Sequence, residues 1–400
     1  MNISSKQLTH IKLELFLSTL LLNILFINSA NAIPAFARSD KMACSACHTA
    51  WPSLNSFGHK FKENGYRFAP LVDNKERITK DLSWTEDFPI STIIVGRPYD
   101  KKSSGNSKTR AIHEVELMVA GPMSKELSGF FEIEAEDEDT NARGFEVGVP
   151  TAALTYNVSQ AVNVQLSWAD ILWFDPYNTY TNGHRMTRGR NSIIDQSFGG
   201  ADNNKALFAS RQNITAYGRP INELFYGVSF SGVADQSEGE AADTITGRAA
   251  YQITPTLMIG GLIIDGTCSS KIGLSTCTVD RNYKRYAVDF ELNQKNILVN
   301  AAYMQAKDDN STATSEVKND ATFIQAMYTF RKDGRSTWVP LARIDQYEKV
   351  NGTEKISEIT LGLNYYISEN FRGQLELWDR NGDGTTVDDD RVTVQVHAAF

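Results

Sequence analysis

Long apolar runs are almost absent from this 400-residue chain. Only residues 15–27 (LFLSTLLLNILFI) are nearly wholly apolar, and that run is too short to span a bilayer comfortably as a helix. It follows a polar stretch with Lys6 and Lys12 and precedes Ala30-Asn31-Ala32, a small–x–small cleavage pattern. Residues 1–32 therefore read as a secretory signal peptide, with the mature chain expected to start near Ile33, outside the cytoplasm. With no second run of eighteen or more apolar residues, helical membrane spans are excluded. Clusters of basic residues are also missing. The net charge is −8 with Lys and Arg scattered, which excludes a nucleic-acid partner. Cysteine is scarce: four residues in two separate pairs.

From about residue 90 the dominant signal is alternation with period two. Val162, Val164, Leu166 and Trp168 alternate with Asn163, Gln165, Ser167 and Ala169. Ile359, Leu361, Leu363 and Tyr365 alternate with Glu358, Thr360, Gly362 and Asn364, and residues 285–292 repeat the pattern. Such segments fall at 90–99, 111–120, 127–136, 145–156, 161–173, 204–217, 222–233, 243–252, 256–265, 282–292, 296–306, 321–331, 336–347, 355–367, 370–379 and 391–400. Short turns (MSKE, SQA, RPIN, TPT, NQKN, KDGR, SEN) alternate with long polar loops, an asymmetry typical of outer-membrane barrels and not needed by a soluble β-sandwich. Mean hydropathy is slightly negative, as in soluble proteins, but alternating barrel strands average to the same value. The expected fold is mainly β, an antiparallel transmembrane β-barrel of about 16 strands over residues 89–400, embedded in outer-membrane lipid. An even strand number places both ends on the periplasmic side. The last strand, VTVQVHAAF, ends on Phe400 and resembles the terminal recognition strand of such barrels.

The cysteine pairs differ in kind. Cys268 and Cys277 lie in a Ser/Gly-rich segment of an exported chain, which reads as a loop disulfide. Cys44, Cys47 and His48 form Cys-x-x-Cys-His, the attachment pattern of one covalent c-type haem. In that pattern two thiols add across the haem vinyl groups, and the adjacent His is placed as proximal iron ligand. A redox dithiol would want a thioredoxin-like context and a zinc site more ligands nearby, and neither is present. Residues 33–88 thus read as a monohaem segment that plugs the pore. Pro52 is expected to start a short helix with Leu54, Phe57 and Phe61 on one face, stopped by Gly65. His59 is the candidate distal ligand, with Met42, His184, Met186 and His397 as the others.

The run Phe36-Ala37-Arg38, Cys44-x-x-Cys47-His48, Pro52, Leu54-Asn55, Phe57-Gly58, Phe61-Lys62 and Gly65-Tyr66 resembles the fused monohaem cytochrome–porins of bacterial outer membranes, of which iron oxidisers provide examples. The likeness covers roughly residues 34–68. It implies single-electron transfer from an extracellular metal donor such as Fe(II) to a periplasmic c-type cytochrome or similar carrier, an iron:cytochrome c reductase-like activity. The alternative is a diffusion porin whose haem is structural or sensory.

Two further features bear on the lumen. Glu114 and Glu116 share one strand parity and Glu132, Glu134 and Glu136 another, an acidic wall able to attract cations. The longest loop, 174–203, carries Arg185, Arg188 and Arg190 and is expected to fold inward opposite those acids. In DRNGDGTTVDDD, residues Asp379, Asn381, Asp383 and Asp390 match the spacing of a Ca²⁺-binding loop.

Overall fold

The structure is a computed structural model that describes residues 35–40, 42–67, 90–137, 144–181, 183, 185–198, 201–202, 205–235, 244–270, 277–383 and 388–400. The proposed signal peptide and His184 lie outside the described residues.

Sixteen antiparallel strands close into one barrel. They are β1 (Ile90–Lys102), β2 (Lys108–Pro122), β3 (Leu127–Glu136), β4 (Glu146–Ser159), β5 (Val162–Ala169), β6 (Arg211–Ile221), β7 (Leu224–Ser231) and β8 (Thr244–Thr254). Then follow β9 (Leu257–Cys268), β10 (Arg281–Gln294), β11 (Ile297–Asp309), β12 (Glu316–Tyr328), β13 (Trp338–Lys349), β14 (Glu354–Ser368), β15 (Phe371–Gly382) and β16 (Asp389–Ala399). Each strand pairs with its sequence neighbour, and β16 pairs with β1 to close the ring, with Ala398 opposite Ile94.

The barrel is inside-out relative to a soluble sheet, as the alternation requires in lipid. Leu166, Val288 and Leu361 are 52%, 61% and 49% exposed, whereas Asn163, Arg285 and Thr360 point inward and are buried. Tyr156, Tyr251, Tyr328, Trp338, Tyr365 and Phe400 stand exposed near the short-turn ends of their strands, an aromatic girdle on one rim. The Trp338 and Tyr365 rings pack 4.3 Å apart between centroids. No helix among the described residues is long and apolar enough to cross a membrane.

The β5–β6 connection runs through the lumen, and buried ion pairs hold it there. Asp175 meets Arg248 of β8 at 3.1 Å, and Arg248 meets Asp289 of β10 at 2.7 Å. Ser192 N donates to Asp345 at 2.8 Å, and Arg372 donates to the Arg185 carbonyl at 2.6 Å. This corrects the strand limits expected at 161–173 and 204–217: β5 ends at Ala169 and β6 begins at Arg211. Ile171, Leu172 and Phe174 are apolar because they pack inside the lumen, not because they face lipid.

The N-terminal segment forms α1 (Ala35–Asp40), a 3₁₀ turn (Cys44–Ala46), a small hairpin (His48–Ala50 with Ser53–Leu54) and α2 (Ser56–Glu63). Its contacts fall on the short-turn end of the barrel. Thr49 Oγ1 donates to Asn293, Ser56 to the Pro255 carbonyl, and Arg67 to the carbonyls of Lys125 and Glu126. The helix expected from Pro52 starts instead at Ser56. Asn55 is its N-cap, accepting from Phe57 N and Gly58 N, while Pro52 occupies the hairpin turn. Gly65, at φ +68°, closes α2 as expected, with Tyr66 N bonded to Phe61 O and Gly65 N to Lys62 O.

Cys268 and Cys277 are joined in a disulfide. The two ends of the segment read as a Ca²⁺ loop lie in β15 and β16. Asp379 pairs with Asp390, Asn381 donates to Asp379, and Gly382 N donates to Asp388. Its ends run antiparallel, and residues 384–387 between them lie outside the described residues.

Candidate haem and electron-transfer site

Cys44, Cys47 and His48 line one lumen cavity of about 680 Å³, with Met42, Trp51, Leu54, Phe61 and Tyr66 on the same segment. The thiols are not joined to each other. The Asn55 side chain donates to the Ala46 carbonyl at 3.0 Å, and Asn55 N donates to the Cys47 carbonyl at 2.9 Å. One asparagine therefore caps α2 and shapes the turn that carries both cysteines.

His48 Nδ1 lies 3.0 Å from the Pro52 carbonyl. A carbonyl only accepts, so the proton sits on Nδ1 and the lone pair on Nε2. Burial pulls the ring down to about 4, which keeps it neutral at pH 7. A backbone carbonyl on the second ring nitrogen is the usual orienting contact of a metal-bound histidine. Burial, reinforced by Glu369, pushes the Cys44 thiol up to about 12.

The donor set therefore fits a covalent haem. Cys44 and Cys47 would supply the thioether sulfurs and His48 Nε2 a ligand to the iron. An aromatic wall stands beside them: Phe36 stacks on Tyr66 at 5.3 Å and meets Phe61 edge-on at 5.0 Å, while Tyr66 packs on Phe130 at 5.5 Å.

The distal candidates separate. Met42 and His397 line the cysteine cavity, and so does Met118 of β2, which sequence reading missed. Met118 shares strand parity with Glu114 and Glu116, and that parity was its available signal. His59 is not among the lining residues. It is buried against Tyr177, 4.9 Å between centroids, and its Nδ1 lies 3.8 Å from Glu291. The cavity face of α2 is Gly58, Phe61 and Lys62, continued by Leu54, whereas Phe57, expected on that face, is exposed. Met186 is buried with its sulfur on Arg372 at 3.3 Å.

Gly58 closely faces the turn that carries Cys44 and Cys47. A Cβ there would stand 2.2 Å from the Cys47 carbonyl oxygen and 2.9 Å from Leu54 Cδ2. The first neighbour is backbone and cannot rotate away. Gly58→Ala is expected to displace the turn at a cost of about 1–3 kcal/mol and to lower covalent haem yield several-fold. Haem staining of denaturing gels, normalised to barrel protein, measures it.

His59 is expected to make docking of the segment pH-sensitive. Burial lowers its pKa from 6.5 to about 3, assisted by the Lys62, Arg219 and His48 charges. An undocked His59 binds a proton more readily, so this contribution to docking is complete above about pH 6.5 and lost as pH falls towards 3. Protease release of the N-terminal segment is expected to rise over that window in the wild type and to rise less steeply in His59→Gln.

The expected acidic wall is present. Glu114, Glu116, Glu132, Glu134 and Glu136 line the cavity, and Arg185, Arg188 and Arg190 of the inward loop line it too. Arg188 pairs with Asp100 at 2.9 Å.

No family model matches the chain, and no curated protein matches it. Solved structures do. An anion-selective porin from Comamonas acidovorans superposes with a TM-score of 0.58 at 14% identity, over 78% of this chain and 98% of that one. OmpF of Salmonella typhi, solved with daunomycin, gives 0.54 at 16%, covering 78% and 97%. The outer membrane channel DcaP of Acinetobacter baumannii gives 0.53 at 12%, covering 78% and 95%. At these identities the likeness is one of fold: the chain has the closed 16-stranded barrel of the porins.

Proposed function

We propose that this chain is a bacterial outer-membrane electron conduit, with one c-type haem held in the lumen between an extracellular reductant such as Fe(II) and a periplasmic one-electron carrier. The observation that carries the reading is the convergence of Cys44, Cys47 and a carbonyl-oriented His48 on one wall of a barrel cavity. Haem bound there supplies reversible one-electron chemistry.

The remaining work falls to the chain. The strands insulate the site from lipid across a hydrocarbon core of about 30 Å. The N-terminal segment, anchored to the short turns, holds the site at one end of the lumen, and the aromatic wall limits water around it. The acidic patch of Glu114, Glu116, Glu132, Glu134 and Glu136 offers cations a local stop on a lumen wall that also carries Arg185, Arg188 and Arg190. Short turns and both barrel-chain ends share one rim, and in this reading that rim is periplasmic.

A second reading, a diffusion porin with a structural or sensory haem, is favoured by the porin-like barrel. Proteoliposome assays separate the two. The conduit transfers electrons from an external reductant to an enclosed ferric cytochrome with little sugar flux. Rapid sugar flux with no electron transfer would instead establish the porin.

A further inference from the structure

At the long-loop end of the lumen wall, β2 and β3 place like charges opposite each other twice in succession: Glu114 faces Glu136, and Glu116 faces Glu134. Such pairs repel when both are ionised, unless a proton or a cation lies between them. Beside the first pair sits His113, only 1% exposed. Its Nε2 lies 3.0 Å from Glu136 Oε1 and 3.9 Å from Glu114 Oε2. The close approach lacks hydrogen-bond alignment, and Nε2 is a buried polar atom with no hydrogen-bond partner. On the other side of the ring, Nδ1 contacts the Asp137 carboxylate, which also meets Arg110 at 3.5 Å.

In the Nδ1-protonated tautomer, with Asp137 accepting, the Nε2 lone pair faces Glu114 and Glu136. Arg110 Nη1 also lies 3.3 Å from Nδ1. A proton on Nε2 or a metal ion would each satisfy the three converging atoms, and the missing hydrogen-bond alignment at the buried Nε2 points to the metal. Ligand atoms bound about 2.1 Å from one first-row ion lie roughly 3–4 Å apart. One donor atom from each of His113, Glu114 and Glu136 falls within 4.8 Å of the others. A carboxylate holding the far nitrogen of the imidazole is the usual support of a metal-bound histidine.

We infer that His113, Glu114 and Glu136 form a binding site for a first-row divalent transition-metal ion at the long-loop end of the lumen, with Asp137 orienting the histidine. One imidazole and two carboxylates suit Fe(II), Mn(II) or Zn(II), and their two negative charges balance the ion. Glu114 and Glu136 line the cavity that Cys44, Cys47 and His48 line at the short-turn end, so the ion reaches the site through the lumen. Only the choice of Fe(II) as the natural ion, an electron donor held before oxidation, rests on the proposed conduit role.

The test uses the haem-loaded full chain in nanodiscs, titrated anaerobically with Mn(II) alone and followed by electron paramagnetic resonance. The expected result is one bound Mn(II) per chain with ¹⁴N spin-echo modulation from an imidazole. His113→Gln is expected to abolish the modulation and weaken binding at least tenfold, and Glu114→Gln to weaken binding comparably with the barrel intact by gel mobility. Glu134→Gln, on the same wall outside the triad, should retain the modulation. Absence of ¹⁴N modulation in the wild type, or equal Mn(II) binding by wild type and both triad variants, overturns the site and leaves an imidazolium among carboxylates. Mn(II) binding is read without haem reduction. Its failure therefore leaves the conduit standing, and failure of haem reduction leaves the metal site standing.

Discussion

Replacing Cys44 and Cys47 together by serine is expected to remove covalently bound haem completely while the barrel still folds. The two thiols sit on a 3₁₀ turn in the lumen, away from every strand pairing that closes the barrel. Their loss therefore leaves the ladder from β1 to β16 intact. The haem-stained band on denaturing gels should fall to background, and the heat-modifiable mobility of a folded barrel should persist. Each single serine variant keeps one thiol and should retain reduced, singly attached haem. His48→Ala keeps both thiols, so haem should stay attached while its visible spectrum changes. Full haem retention in the double serine variant would place the attachment elsewhere.

The second large effect is expected at Arg219. This residue of β6 joins Glu63 of α2 at 2.7 Å and the Tyr177 hydroxyl of the lumen loop at 2.9 Å. Glu63 and Arg219 are both 3% exposed, so the pair is screened from water. Arg219→Met leaves a buried carboxylate without its cation, which costs about 3–5 kcal/mol in comparable cases. If docking of the N-terminal segment bears that cost, the undocked fraction rises by about a hundredfold or more. Single-channel recording reads this directly: the wild type should conduct little, and Arg219→Met should show long-lived openings. The double variant Glu63→Gln with Arg219→Met removes both charges and should recover most of the closed behaviour, because no carboxylate is then stranded. Identical conductance in all three would separate the ion pair from plug docking.

How much of this was legible beforehand depended on the range of the interactions involved. Alternation at Val162–Ala169 and Glu358–Tyr365 is local, and it located all sixteen strands because in lipid only one face of each can be apolar. The haem pattern was likewise local, three residues in a pentapeptide. What escaped was set by long-range contact. Arg67 reaching the Lys125 carbonyl, Thr49 reaching Asn293 and Glu63 reaching Arg219 leave no periodic trace. Ile171, Leu172 and Phe174 looked like strand residues because burial in a lumen loop and exposure to lipid demand the same apolar side chains. His59 seemed suited to the iron by its place after His48, yet α2 turns it towards Tyr177 and Glu291. His113 passed unnoticed among charged residues, since its partners Glu136 and Asp137 come from the neighbouring strand and the residue that follows it.

In the proposed conduit the lumen haem accepts electrons from a reductant that enters through the barrel. The most direct measurement is anaerobic stopped-flow mixing of Fe(II) with the ferric, haem-loaded protein in nanodiscs. Ferrous haem absorption bands are expected to develop with a rate proportional to Fe(II) concentration. A haem that stays ferric with excess Fe(II), yet is reduced at once by dithionite, would contradict it.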